Sequence, residues 1–96
     1  MRKRANWMNE KDDIILELLQ ETGLALPVTP IHENLRLQGY DFTRRTVRRR
    51  LKRLESHGLV NSLLGEKGYY QISDIGEAYL IGDLDVSKLD SSEDSS

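Results

Sequence analysis

Thr43-Arg44-Arg45-Thr46-Val47-Arg48-Arg49-Arg50-Leu51-Lys52-Arg53-Leu54 carries seven basic residues and no acidic one. Its apolar residues Val47, Leu51 and Leu54 recur at i, i+4 and i+7, the spacing of one helix face. One side of such a helix can join a core while the rest presents positive charge. Thr43 stands where a hydroxyl can accept a bond from an unpaired first-turn amide. Gly58 lies just past the far end, where a helix can stop in the left-handed conformation. The stretch reads as a capped, amphipathic, cationic helix over residues 43–57, about four turns long.

Upstream, Gly39-Tyr40-Asp41-Phe42 forms the short glycine-containing turn that a helix-turn-helix needs, with Tyr40 and Phe42 packing at it. Thr29-Pro30 predicts the start of the preceding helix, a capping hydroxyl followed by proline at the first helical position. Ile31, Leu35 and then Leu37 or Gln38 carry that helix to Gly39. Leu24-Ala25-Leu26-Pro27-Val28 is either a very short edge strand or an extended connection. Asn9 is placed to cap a first helix whose positive end is complemented by Glu10, Asp12 and Asp13. Ile15, Leu18 and Leu19 give its apolar stripe, flanked by Ile14 and Leu16, and Gly23 ends it. Trp7, just before the cap, predicts a hydrophobic staple. Asp12 and Asp13 fit the helix dipole better than a metal site, and the solitary His32 fits a surface or half-buried position.

Downstream, Leu59-Val60-Asn61-Ser62-Leu63-Leu64 and Tyr69-Tyr70-Gln71-Ile72 read as two strands joined by Gly65-Glu66-Lys67-Gly68, a β-hairpin. The two glycines do not make a phosphate loop, because no Gly-Lys-Ser/Thr and no helix follow directly. Ser73 or Asp74 then caps a last helix with Ile75, Tyr79 and Leu80 on its apolar side. The organisation expected is a basic arm over residues 1–8, one domain over 9–82, and an acidic serine-rich tail over 83–96. The tail has too few apolar residues to offset its ordering entropy.

Charge follows the same division. Residues 1–72 carry a net +4 and residues 73–96 a net −6, so the overall −2 hides a basic body. A basic body with an acidic tail is compatible with nucleic-acid binding. The chain has no cysteine, which removes disulfides, thiolate ligands and thiol nucleophiles and fits a reducing, cytoplasmic setting. No apolar run approaches the length of a membrane span. The basic Met1-Arg2-Lys3-Arg4 is not followed by an apolar segment, so a signal peptide is not expected.

The order helix, extended piece, helix, turn, cationic helix, hairpin, helix is α+β, mostly α. Thr46-Val47-Arg48-Arg49-Arg50-Leu51-Lys52-Arg53-Leu54-Glu55-Ser56-His57-Gly58-Leu59-Val60 is similar to the recognition-helix signature of prokaryotic winged-helix regulators. There a Val-x3-Leu-x2-Leu stripe leads through Gly-Leu-Val/Ile into the first wing strand. Tyr70-Gln71-Ile72-Ser73-Asp74-Ile75-Gly76-Glu77-Ala78-Tyr79-Leu80 resembles the closing motif of the same proteins. Together they resemble the repressor-like winged helix-turn-helix group of halophilic archaea and their viruses, related to the MarR, ArsR and PadR families. The resemblance implies a three-helix core, a two-stranded wing and a final helix. It implies a sequence-specific DNA-binding transcriptional regulator, repressor-like, whose partners are double-stranded DNA and a second copy of the chain. The cysteine-based metal sites of ArsR-type relatives are not implied, and no cofactor is.

On a wheel of about 100° per residue, Arg45, Arg48, Arg49 and Lys52 fall opposite the apolar stripe, while Arg44 and Arg50 flank it. Arg44, Arg45, Arg48 and Arg49 lie toward the N-terminal half, from which arginine can reach guanine bidentately. Lys52 and Arg53 fit phosphates, Thr43 and Thr46 a phosphate or thymine methyl, and Lys67 or Tyr69 on the wing the flanking backbone. Arg50 is expected to lean along the domain surface. Arg2, Lys3 and Arg4 can touch phosphate. The wing carries Glu66 beside Lys67, which leaves most of the expected contact to the helix. Tyr79, Leu80, Ile81, Leu84 and the first helix are candidate dimer surfaces. The competing reading is a winged-helix protein-interaction module of a transcription-related assembly. An enzyme is not expected: both histidines are isolated and the serines cluster in the tail.

Overall fold

A computed structural model describes residues 4–63 and 68–83. The elements run α1 (Glu10–Thr22), α2 (Val28–Leu37), α3 (Arg44–Ser56), β1 (Val60–Leu63), β2 (Tyr69–Ile72) and α4 (Asp74–Leu80). This is the mostly helical α+β, winged arrangement expected. The wing tip, including Glu66 and Lys67, and the tail from Leu84 onward lie outside the described residues.

The helix ends are set locally. Asn9 accepts from the Lys11 amide at 2.9 Å, and the Asp12 carboxylate accepts from the Asn9 amide at 2.9 Å, a reciprocal cap on α1. Gly23, at φ 65°, donates to the Leu19 carbonyl and stops the helix. The start of α2 differs from the Thr29-Pro30 expectation. The helix opens at Val28 with Pro27 as cap. The Pro27 carbonyl accepts from Ile31 at 3.3 Å, and Pro30 sits within the first turn, where its missing N–H costs no helical bond. The preceding extended piece makes one rung: Leu26 and Tyr70 exchange backbone bonds of 2.9 and 2.8 Å on the edge of β2.

Val47, Leu51 and Leu54 are fully buried, as their spacing predicts. They meet Ile15, Leu16 and Leu19 of α1, Ile31 and Leu35 of α2, and Leu59, Val60 and Tyr79 in one cluster that also takes in Ala5 and Met8 of the N-terminal arm. Each such aliphatic side chain contributes about 1.5–3 kcal/mol by leaving water. Leu37, offered as a continuation of the α2 stripe, is instead exposed. β1 and β2 pair antiparallel with Val60 opposite Ile72 and Leu63 opposite Tyr69.

Asp12 and Asp13 do more than complement a dipole. Both are buried. Arg50 Nε donates to Asp12 Oδ1 at 2.8 Å, and Arg50 Nη2 bonds both Asp12 Oδ2 and, at 3.0 Å, the Trp7 carbonyl. Arg50 is thus turned inward against α1 rather than leaning along the surface. Asp13 accepts from the Tyr79 hydroxyl at 2.5 Å and from Arg4 Nε at 3.1 Å, and this hydrogen bond and charge raise the Arg4 pKa. Arg4 is therefore committed to the body, and Arg2 and Lys3 lie outside the described residues.

α4 is stitched to the end of α3. Ser73 caps α4 by accepting from the Gly76 amide at 3.0 Å and donates its hydroxyl proton to the Gly58 carbonyl at 2.6 Å. The Ser73 amide bonds the Leu59 carbonyl at 3.1 Å. Gly76 is needed for this approach: a Cβ there would stand 2.3 Å from the Leu59 carbonyl oxygen. Tyr79 and Leu80 are buried in the core, which removes them as dimer surface, whereas Ile75, expected on the apolar side, is 43% exposed and Ile81 is 69% exposed.

Asp12→Ala is expected to destabilise the fold by about 3–5 kcal/mol, because it leaves the Arg50 guanidinium uncompensated against the core. Gly76→Ala is expected to cost about 1–3 kcal/mol despite the better helix propensity of alanine. Urea unfolding followed by circular dichroism measures both; wild-type midpoints would refute these assignments.

Candidate nucleic-acid interface

α3 begins with a hydroxyl pair. Thr43 Oγ1 accepts from the Thr46 amide at 3.0 Å and donates to Thr46 Oγ1 at 3.0 Å. The cap therefore orients both threonines at the end of the helix from which the arginines project. Gly39, at φ 96°, turns the chain between α2 and α3, and Tyr40 stacks on Phe42 with ring centroids 5.6 Å apart. Phe42 packs against the core and Lys11 lies 5.8 Å over its ring, so the turn is anchored to α1 as well.

With the stripe and Arg50 turned inward, the remaining cations divide into three sides. Arg45 and Arg49 are exposed on the outer face. Arg48 and Lys52 line a groove of about 350 Å³ with Pro27, Val28 and Thr29 at the start of α2 and Gly68 and Tyr70 at the base of the wing. Arg53 lies on the opposite flank, its guanidinium 5.6 Å from the centre of the Trp7 ring. Trp7 in turn stacks on His57 at 4.2 Å and 20°. Trp7 packs against the core, as expected, and also covers the C-terminal end of α3. Arg44 reaches the Thr29 hydroxyl at 3.4 Å and ties α3 to α2.

Of the residues singled out from sequence, Thr43, Arg44, Arg45, Thr46, Arg48, Arg49, Lys52 and Arg53 are all on α3 or its cap. Thr46 is half-buried and the other seven are exposed. Tyr69 is half-buried at the start of β2, and Lys67 lies outside the described residues. Sequence reasoning missed Pro27, Val28 and Thr29 as one wall of the groove. Their only signal was a helix start, which says nothing about what α2 faces. Among the described residues, no ion pair joins Arg45, Arg48, Arg49, Lys52 or Arg53 to an acid. No group of three or more His, Cys, Asp or Glu among them is placed to hold a metal. No helix among them is long and apolar enough to cross a membrane.

The arrangement is a convex cationic helix beside a polar groove. An α-helix fits the major groove of B-form DNA, and cations along it displace the counterions condensed on phosphates. The comparisons with known proteins agree with the geometry. The model of a family described as winged helix-turn-helix phage repressor matches residues 1–92. The crystal structure of the PhiH1 repressor-like protein from Haloarcula marismortui is similar, with a TM-score of 0.79 and 35% identity over 92% of this chain and 93% of that one. No curated protein matches.

Tyr70 offers a check on the groove wall. Burial pushes its pKa up, Glu55 adds to the rise and Arg48 opposes it. A raised folded-state value means stability that is fully present below the unfolded value near 10 and is lost as pH rises through the folded one. Thermal melts over that alkaline window are expected to show a fall in stability that Tyr70→Phe diminishes. An unchanged alkaline fall in the variant would show that Tyr70 is not its source.

Proposed function

The chain belongs to the winged helix-turn-helix phage repressor family, and from that premise we propose that it is a sequence-specific DNA-binding transcriptional regulator, acting as a repressor and reading the major groove with α3. The observation that carries the reading is the exposed cationic surface of α3, which has no acidic partner among the described residues. Like charges at helical spacing destabilise a helix, and bound phosphates relieve that cost.

The roles follow from position. Arg45 and Arg49 on the outer face, with Arg48 beside them, are assigned to base edges, where a guanidinium can pair bidentately with guanine. Lys52 at the groove and Arg53 beside Trp7 are assigned to phosphates. Arg44, already bonded to Thr29, joins the phosphate set, and Thr43 and Thr46 present hydroxyls at the leading end of the helix. Tyr69 and Lys67 are assigned to the flanking backbone. Residues 9–82 form the DNA-binding unit in this reading, with the tail 83–96 appended to it. A dimer is proposed because palindromic operators mirror two-fold symmetry. Ile75 and Ile81 are exposed on the α4 side and serve as its candidate contact. The cytoplasm is the compartment in which such a protein meets DNA in a prokaryotic cell.

Selection from a pool of random duplexes is expected to enrich one motif; recovery of none at moderate salt would remove the sequence-specific reading and favour a protein-interaction role. On the enriched duplex, Arg45→Ala or Arg49→Ala is expected to cost about 1–3 kcal/mol and to weaken random DNA less. Lys52→Ala is expected to weaken all sequences alike and to flatten the log–log salt slope by about one unit. Equal losses on every sequence for all three variants would overturn the division into base and phosphate contacts.

A further inference from the structure

The two cations of α3 assigned to phosphates at its C-terminal half are presented differently. Lys52 stands in the groove beside the wing, and Arg53 stands against an aromatic ring. Arg45, Arg49 and Arg53 follow one another at i, i+4 and i+8, so Arg53 closes the outward row of the helix. Its guanidinium lies 5.6 Å from the centre of the Trp7 ring, inside the range of a cation–π contact. Among the described residues Arg53 joins no ion pair. Glu55, two positions on and so on the opposite side of the helix, acts on Tyr70. In the first turn of α1, Asp12 is taken by Arg50, and Asp13 by Tyr79 and Arg4.

We propose that Trp7 is a positioning residue for DNA binding: its indole face holds the Arg53 guanidinium in place for one backbone phosphate. This rests on the DNA reading above. The ring is itself fixed from three sides. The Trp7 carbonyl accepts from Arg50 Nη2 at 3.0 Å, which ties its backbone to the Arg50–Asp12 pair. Ala5 and Met8 on either side of it are buried, with the Met8 amide bonded to the Ala5 carbonyl at 3.0 Å. The His57 ring stacks on the indole at 4.2 Å, and His57 Nδ1 lies 3.1 Å from the Arg53 carbonyl. The end of α3 therefore carries both the arginine and the ring that braces its platform.

The geometry gives Trp7 an indirect role. Its indole nitrogen is buried and meets no partner among the described residues, so it is not placed to donate to a phosphate itself. What the ring offers is a face. A free arginine side chain gives up rotamer freedom when it binds, and one already held in its bound geometry gives up less. A guanidinium stacked on a ring keeps its in-plane N–H donors available for phosphate oxygens. Leucine at position 7 would fill part of the same space without a π-face, and phenylalanine would keep one. Lysine at position 53 would keep the charge without the planar group.

The test is a double-mutant cycle on the full chain, with the enriched duplex at fixed salt and urea unfolding to establish that each variant is folded. Trp7→Leu is expected to weaken binding about two- to fivefold, the worth of an exposed cation–π contact. The same factor is expected on random duplex, because a phosphate contact carries no sequence information. Trp7→Phe is expected to recover most of the loss. In the Arg53→Ala background Trp7→Leu is expected to change nothing further. An undiminished loss in that background would overturn the proposal, because Trp7 would then act through the fold or by touching DNA itself. Arg53→Lys leaves the core untouched and holds the test open should Trp7→Leu not fold. It is expected to weaken binding with the salt slope unchanged, and wild-type affinity would show that charge alone suffices. In the DNA-free wild type, the Arg53 Nε–H resonance is expected to be displaced from those of Arg45 and Arg49 by the ring current of Trp7; coincidence with them would overturn the contact. A wild-type chain that binds no duplex would sink the DNA reading, and this proposal with it, even where that displacement is seen.

Discussion

The contact between the Arg50 guanidinium and the Asp12 carboxylate is the constraint around which the molecule is arranged. It joins residues 38 apart in sequence, and Arg50 also holds the Trp7 carbonyl. Three parts of the chain therefore meet at one charge pair: the first turn of α1, the N-terminal arm and the middle of α3. Asp12 simultaneously accepts from the Asn9 amide, so its second role is to close the helix that carries it. Neither ion would be tolerated alone at this depth, because each would lose its hydration without a partner. With Arg50 drawn inward beside Val47, Leu51 and Leu54, the rotation of α3 about its axis is set. Arg45 and Arg49 are then obliged to face out.

The far end of α3 is held by a different chemistry. Ser73 ties the left-handed turn at Gly58 to the start of α4 through one short hydroxyl bond and one amide bond. Gly76 lets the helix approach the Leu59 carbonyl closely enough for this to happen. The Leu26–Tyr70 bridge then brings the start of α2 against the base of the wing. The groove beside Arg48 and Lys52 is the space these three attachments leave. It is a product of how α2, α3 and the wing are tied together, with the charge supplied by α3 alone.

The division between stability and function within α3 is correspondingly sharp. Its apolar stripe and Arg50 bind it to the body, Arg44 and Arg53 add contacts to Thr29 and Trp7, and Arg45, Arg48, Arg49 and Lys52 meet no acid among the described residues. A helix so charged persists because tertiary burial of one face, more than intrinsic propensity, holds helices in proteins. Membership of the winged helix-turn-helix phage repressor family gives that surplus charge a rationale.

How much of this was legible in the sequence depends on the range of each interaction. The order of elements, the caps at Asn9, Thr43 and Ser73, the stops at Gly23 and Gly58, and the buried stripe of α3 were readable because each is decided within one or two helical turns. So was the cationic face, since a wheel of one helix needs only that helix. The start of α2 was misplaced because Pro27 and Thr29-Pro30 are both acceptable local signals; the pairing of Leu26 with a residue far downstream accompanies the earlier start. The burial of Asp12 and Asp13, the inward turn of Arg50, the loss of Tyr79 and Leu80 as open surface, and the cover of Trp7 on His57 were not readable. In each case the partner comes from another element, as with Tyr79 and Asp13, 66 residues apart. Sequence periodicity assigns a side chain to a face of its own helix. Which charge or ring lies opposite that face is decided only when the helices pack, because burial makes an unpaired ion costly and so selects the one arrangement in which Arg50 meets Asp12.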